Sequence, residues 1–451
     1  MDALDRWLER EYRYAASAML ASVSPVHLVQ KRPGFGQTMH AKRGSIVASP
    51  VLAAWDPEPD YFFHWYRDSA VVVDAMRMLY EDGTLGDEAL VRLTEFVRFS
   101  LSLEVLDGRD LVASPSWRDR VKPEFHKYVR TDEDLAAVHG KRVAAEARVN
   151  PDGTLDISKW CRPQHDGSPL RAIALLRWIR NGSVRAKLSP DALQDVYRLI
   201  RSDIAFTVAH WRDPSFDIWE EELGRHYYTL RVAAAALQSG ADWLEAEGRT
   251  EDAASLRNEV AAILRTLDGF WSEEGGYYRA RVLASGTRSQ KELDISAILG
   301  VVHAWDHLSS GSHSVRDPRM HSTLRRLEAL FDARYAINRD RPRGRGPAMG
   351  RYDGDVYFSG GAYYFSTLGA AEFCYRAAAS APDKREWIER GDGFLATVQA
   401  FTPESGELSE QFDQNTGAQT SARHLAWSYA ALISSVVARR SVLAAERRAP
   451  A

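Results

Sequence analysis

The feature that most constrains this chain is a rhythm of apolar residues at helical spacing, broken alternately by short and by long links. Apolar side chains at i, i+3, i+4 and i+7 mark the buried stripe of a helix. Segment 2–22 shows it, with Leu4, Trp7, Leu8, Tyr12 and Ala15 on one face. The same spacing predicts helices over 68–81, 87–104, 168–181, 190–211, 226–247, 250–270, 292–307, 319–333, 360–380, 384–401 and 420–441, about twelve in all. Ser189-Pro190 and Thr250-Glu251-Asp252 read as helix starts, because a hydroxyl can accept from the free amides of a first turn. Period-two alternation is scarce. Short strands are expected only in loops, at Gly276–Ala280 and Arg351–Tyr357.

The links alternate. Short ones join helices two to three, four to five, six to seven, eight to nine and ten to eleven, and the others run to about 18 to 60 residues. Long loops inside a compact domain are usually functional. Six helical hairpins in a ring bring all six long loops to one end. The expected fold is therefore all-α, an (α/α)6 barrel of twelve helices with its active-site loops at one end. No linker divides the chain, so a single domain over 1–451 is expected.

Composition narrows the chemistry. The net charge of −4 provides no basic surface, so no nucleic-acid partner is expected. The basic stretch 338–347 reads as a solvated loop. No run of eighteen apolar residues occurs, so no membrane partner is expected. The start, MDALDRWLEREYRY, lacks a signal-peptide pattern, which makes cytoplasmic localisation the expectation. Two cysteines, Cys161 and Cys374, form neither a disulfide framework nor a metal-ligand spacing. HExxH, GxGxxG, GxxxxGK[ST] and GxSxG are all missing, so no metal and no cofactor is expected. Nothing in the sequence fixes an oligomeric state.

The unusual residues fall in the long links. They hold PDYFFHWYRDS (59–69), SKWCRPQHDGSPLR (158–171), DIWEEE (217–222), Trp271–Lys291, GRYDGD (350–355) and SEQF (409–412). Aromatic rings can cover the faces of a sugar, while Arg and Asp read its hydroxyls through charge-assisted hydrogen bonds. Thirteen tryptophans exceed what a core needs. Two carboxylates from different loops fit glycoside hydrolysis, which needs one protonated acid and one ionised base. Glu220 stands between Trp219 and Glu221, where burial and like charge both favour the protonated form. Glu410 stands between Ser409 and Gln411, polar neighbours suited to holding a carboxylate.

Six blocks taken in order resemble the glucoamylases of glycoside hydrolase family 15. They are SIVASP (45–50) with PDYFFHWYRDS, WCRPQHDGSPLRA, DIWEEELGRHYYTL, LDISAILGVVHAWD, GRYDGDVYFSGG and ELSEQFDQNTGAQTSARHLAWSYAAL (407–432). The resemblance implies an (α/α)6 barrel and an inverting exo-acting hydrolase. Such an enzyme releases β-D-glucose from the non-reducing ends of soluble α-1,4-glucans or maltooligosaccharides. The same chemistry on α-1,6 linkages or trehalose is the alternative, a non-catalytic sugar-binding relative a remote one. By resemblance Glu220 is the general acid, Glu410 the general base and Glu221 a substrate-binding acid. Arg67, Asp68 and Arg351 hold hydroxyls of the terminal glucose. Tyr61, Trp65, Trp160, Trp219 and Trp427 line the pocket with Arg162 and Asp166, and Ser421 supports the base. An inverting pair is expected about 6.5–9.5 Å apart. Neither a starch-binding domain nor an N-terminal β-sandwich is expected. Cys161, His64, Tyr66 and Ser359–Tyr363 depart from the fungal pattern, which puts reshaping of the pocket among the expectations.

Overall fold

A computed structural model describes residues 3–54, 57–305 and 311–448 of the chain. Twelve helices of eight or more residues occur among them, and each overlaps a helix expected from periodicity. The 292–307 expectation shortens to Ser296–His303, and its last two residues lie outside the described segments. Among the described residues no helix is long and apolar enough to cross a membrane.

Internal contacts divide the chain into two units. One is Leu20–Leu223; the other joins the N-terminal helix to everything from Gly224 onward. Within each, helices come in two kinds. Gly167–Arg180 and Tyr364–Ala378 are buried on nearly every face. Thr250–Asp268 buries only Ala253, Leu256, Val260, Ile263 and Leu267, a single stripe at spacings of three and four. A helix with one stripe covers a neighbour and turns its other faces to water. In the Leu20–Leu223 unit, Tyr66–Glu81 packs on Gly167–Arg180, which packs on Pro190–His210. The last contact carries a buried bidentate pair, Arg171 to Asp203 at 2.9 and 2.7 Å. In the other unit Tyr227–Ala246 packs on Thr250–Asp268 and Ser296–His303, and Tyr364–Ala378 packs on Lys384–Phe401 and Ala426–Arg448.

Strands are short. Tyr277–Tyr278 pairs with Trp271–Ser272, inside the expected Gly276–Ala280 strand. Arg351–Tyr357 is not a strand. Gly354 takes φ +77° and Arg351 folds back to pair with Asp355, so the segment turns, and only Tyr352 bridges to Asp294. A hairpin that periodicity missed joins Val29–Arg32 to Gln37–His40 through Pro33–Gly36. Ser189 accepts from the Ala192 amide and caps its helix, as expected. Thr250 does not cap: it is the first helical residue, and Arg249 precedes it.

Candidate active site

In the Leu20–Leu223 unit the chemistry collects around one arginine. The two-residue strand His64–Trp65 runs directly into Tyr66–Glu81, so Arg67 and Asp68 occupy that helix's first turn. Helix Gly167–Arg180 starts against the same point. A Cβ on Gly167 would sit 2.4 Å from Cβ of Tyr66, so only glycine permits the approach. The approach brings Asp166 and Gln164 to Arg67, whose NH1 donates to both at 3.1 and 3.0 Å. NH2 of Arg67 donates to Glu220 at 3.2 Å, and its Nε lies 3.6 Å from Asp68.

Glu220 reaches this cluster from a tight turn. The Asp217 carboxylate accepts from the amides of Glu221 and Glu222 at 2.7 and 3.1 Å, and the Glu220 amide donates to the Asp217 carbonyl. The turn places Glu220 at φ +65°, the left-handed region that costs a non-glycine residue about 1–3 kcal/mol. Its carboxylate accepts from Nε1 of Trp65 at 2.8 Å, from Nε1 of Trp160 and from Arg67. Tyr61 packs on Trp65 with ring centroids 5.2 Å apart, and Trp219 is buried.

One guanidinium thus serves three carboxyl groups, the buried Asp68 and Asp166 and the partly buried Glu220. Burial pushes Asp68 up to about 6; Arg67 opposes that rise, while Glu220 and Asp166 add to it. Burial raises Asp166 as well. Asp68 and Asp166, this close, titrate as a pair. The nearby Cys161 thiol is pushed up to about 11 by burial and by Glu220 and Asp217, which keeps it from serving as a thiolate nucleophile.

Arg162 turns to other partners. It donates to Glu146 at 2.6 Å and Asp156 at 3.0 Å. Asp156 in turn holds Arg148, which the sequence reading did not single out. Arg148 stands opposite Trp65 in the pairing of His64–Trp65 with Arg148–Val149. Its guanidinium lies over Trp160 at 3.6 Å, Phe63 at 3.9 Å and Trp65 at 4.7 Å. Both indoles that donate to Glu220 therefore rest on one cation.

In the unit from Gly224 onward, the second cluster forms on a small sheet, Ala362–Tyr363, Gln411–Phe412 and Gln419–Thr420. Glu410 enters its middle strand, with its amide donating to the Ala422 carbonyl at 2.7 Å. The Ser421 hydroxyl donates to the Glu410 carboxylate, and Ser421 sits at φ +63°. Arg351 is locked to Asp355 by two hydrogen bonds of 2.7 and 2.5 Å and lies over the rings of Tyr352, Tyr357 and Tyr363. Gln411 donates to the Tyr363 hydroxyl at 2.7 Å and accepts from Ser359 at 2.9 Å. Trp427 stacks on Phe365, centroids 4.3 Å apart and planes within 8°. Asp355, Tyr363, Gln411 and Ser359 were not among the candidates, although all stand in or beside the GRYDGDVYFSGG and SEQF blocks. Among the described residues no group of three or more His, Cys, Asp or Glu could hold a metal ion.

The family description Glycosyl hydrolases family 15 matches residues 145–389 and 385–437. Glucoamylase 1 of Rhizopus oryzae is 25% identical over 98% of this chain and 72% of its own length. A probable glucoamylase of Schizosaccharomyces pombe is 27% identical over 98% of this chain and 93% of its own length. The solved glycoside hydrolase family 15 glucoamylase from Hypocrea jecorina superposes with a TM-score of 0.77 at 24% identity. That match covers 98% of this chain and 73% of the other. At that identity the likeness establishes the fold, and the fold is the expected (α/α)6 barrel.

Proposed function

Because the chain belongs to glycosyl hydrolases family 15 and is therefore a glycoside hydrolase, we infer that it is an inverting, exo-acting α-glucosidase. Its substrates are the non-reducing ends of soluble α-1,4-glucans or maltooligosaccharides, and its product is β-D-glucose. The observation that carries this reading is the Glu220 cluster. A carboxyl group on a strained backbone is aimed by two indole donors and a shared guanidinium, amid aromatic walls. Such an outlay of strain and buried charge fits a reacting group better than a structural one.

The mechanism assigns a role to each residue. Glu220 gives its proton to the glycosidic oxygen as the bond to the anomeric carbon breaks. Glu410 takes a proton from the water that attacks that carbon from the opposite face, so the configuration inverts. The Ser421 hydroxyl fixes the direction in which Glu410 presents its carboxylate. Arg67, Asp68 and Arg351 bind hydroxyls of the terminal glucose, and Glu221 binds on the leaving-group side. Tyr61, Trp65, Trp160, Trp219 and Trp427 supply the apolar walls, with Asp166 anchoring Arg67 and Arg162 bracing the Trp160 support through Asp156. Cys161 and Cys374 are free thiols, which supports action in a reducing compartment such as the cytoplasm.

A proton NMR time course with maltotetraose, isomaltose, isomaltotriose and trehalose tests the reading. Fresh β-glucose, released fastest from maltotetraose, is the expected result. Fresh α-glucose would remove the acid–base assignment, because retention requires a nucleophile.

A further inference from the structure

Arg148 does more than support the two indoles. Its Nε donates to Asp156 at 2.9 Å and its Nη2 to Ser158 at 3.1 Å, but its buried Nη1 has no hydrogen-bond partner. A buried donor left unpaired on a cation is costly.

Arg148 also lines a cavity of about 680 Å³ within the Leu20–Leu223 unit. The cavity is bounded by the Val29–His40 hairpin, the 3-10 turn Pro123–Tyr128 and the segment 156–160. Its aromatic lining is Phe35, Phe63, Phe125, Tyr128 and Trp160. Phe35 and Phe125 meet edge to face at 5.3 Å, and Tyr128 is half exposed. Gly34 makes this contact possible, since a Cβ there would lie 2.4 Å from the Phe125 ring. The charged lining comprises Lys31, Arg32, Arg148 and Lys159 against Asp60 and Asp156. Arg32 is paired with Asp60 and Arg148 with Asp156, so the two exposed lysines leave the lining net positive.

We propose that this cavity is a binding site for an organic anion with a flat, apolar body. The body lies among Phe35, Phe125, Tyr128 and Trp160. Its carboxylate, sulfate or phosphate group faces Lys31 and Lys159. The volume suits one small molecule, since such sites hold about 300–1,000 Å³. Trp160 belongs both to the cavity lining and to the donors on Glu220, so occupancy is communicated to the acid. The ligand has two possible sources, the anionic aglycone of a glucoside or a free metabolite. The first source rests on the hydrolase reading; the binding site itself does not.

The test is fluorescence titration of the whole chain with 8-anilinonaphthalene-1-sulfonate, beside its uncharged analogue N-phenyl-1-naphthylamine. The expected result is one saturable site for the anion. Its affinity should fall about tenfold in Lys31→Gln/Lys159→Gln, as removal of paired charges implies, and fall again in Phe125→Ala. Near-ultraviolet circular dichroism checks that both variants stay folded. No saturable binding, equal affinity for the uncharged dye, or unchanged affinity in the lysine variant would each overturn the proposal. The source is then settled by kinetics. An aglycone site gives 4-carboxyphenyl α-glucoside a lower KM than 4-methylphenyl α-glucoside, and the lysine variant removes the difference. A free-ligand site gives equal KM values, and the sulfonate alters maltose turnover without competing with maltose. Failure to hydrolyse any glucoside leaves the titration readable, so the two readings fail separately.

Discussion

Glu220 accepts from two indoles and from a guanidinium that it shares with Asp68 and Asp166, while Glu410 takes the hydroxyl of Ser421 at the start of the middle strand of a three-stranded sheet. The first carboxyl stands beside the buried Asp68 and Asp166 through their shared cation, the second against the Ser421 hydroxyl. Each arrangement includes a non-glycine residue in the left-handed region, Glu220 itself in one and Ser421 in the other. Two indoles and a shared cation hold the Glu220 carboxyl in place, and a hydroxyl directs that of Glu410.

The sharpest way to break that contrast is to neutralise each carboxylate and vary the leaving group. Glu220→Gln and Glu410→Gln should each lower kcat on maltotetraose by about a thousandfold or more, with KM little changed. On 2,4-dinitrophenyl α-glucoside, whose leaving group needs no proton, Glu220→Gln should regain most of its activity and Glu410→Gln should not. Equal recovery of both variants would mean that the two roles are not divided as assigned.

The next largest effect tests the shared cation. Arg67→Met leaves the buried Asp68 and Asp166, and the partly buried Glu220, without their common partner. Breaking a buried pair on one side costs about 3–5 kcal/mol, and urea unfolding at neutral pH should register it. In the other cluster Arg351 is matched to Asp355 by paired hydrogen bonds, so the double variant Arg351→Met/Asp355→Leu should recover much of the loss seen in Arg351→Met. No single replacement of one acid can rescue Arg67→Met in that way.

Helices with one buried stripe, such as Thr250–Asp268, were readable from their period; the shorter helices Gly108–Ala113, Asp132–Ala136 and Gly182–Lys187 span too few turns to show one. Residues in local motifs, such as Arg67-Asp68 and Glu220, were readable for the same reason: neighbours in sequence advertise them. Arg148, Gln164 and Asp217 were not. Arg148 earns its place by standing opposite Trp65 across a strand pair, a relation that no local pattern reports. The Trp219 and Glu221 neighbours drew attention to Glu220, yet Trp65, Trp160 and Arg67, all remote in sequence, supply donors to its carboxylate.

Asp68 gives a prediction with a definite sign. Its folded value is raised to about 6. Its contribution to stability is therefore fully present below the unfolded value of about 3.9 and is lost as pH rises through about 6. Asp68→Asn, which imitates the protonated acid, should gain about 2–3 kcal/mol relative to the parent at pH 7 and show a shallower fall between pH 4 and 7. Asp166 is raised in the same direction, so some slope must remain. A variant as pH-dependent as the parent would show that the charge crowding lies elsewhere.

The smallest effect compares one helix start from each unit. Ser189 and Thr250 present the same signal in sequence, a hydroxyl followed by residues favourable to a first turn. In Leu20–Leu223 the Ser189 oxygen accepts from the Ala192 amide at 3.2 Å, while Thr250 begins its helix without capping it. An N-cap hydroxyl contributes about 1 kcal/mol, so Ser189→Ala should lower stability by that amount. Thr250→Ala should be neutral or slightly stabilising, because alanine is the better helix former once the residue is inside the helix. Equal losses in the two variants, measured by urea midpoints at constant m, would place a cap at Thr250 and restore the reading made from sequence. Unequal losses would show that identical local signals are resolved by where the preceding residue points the chain.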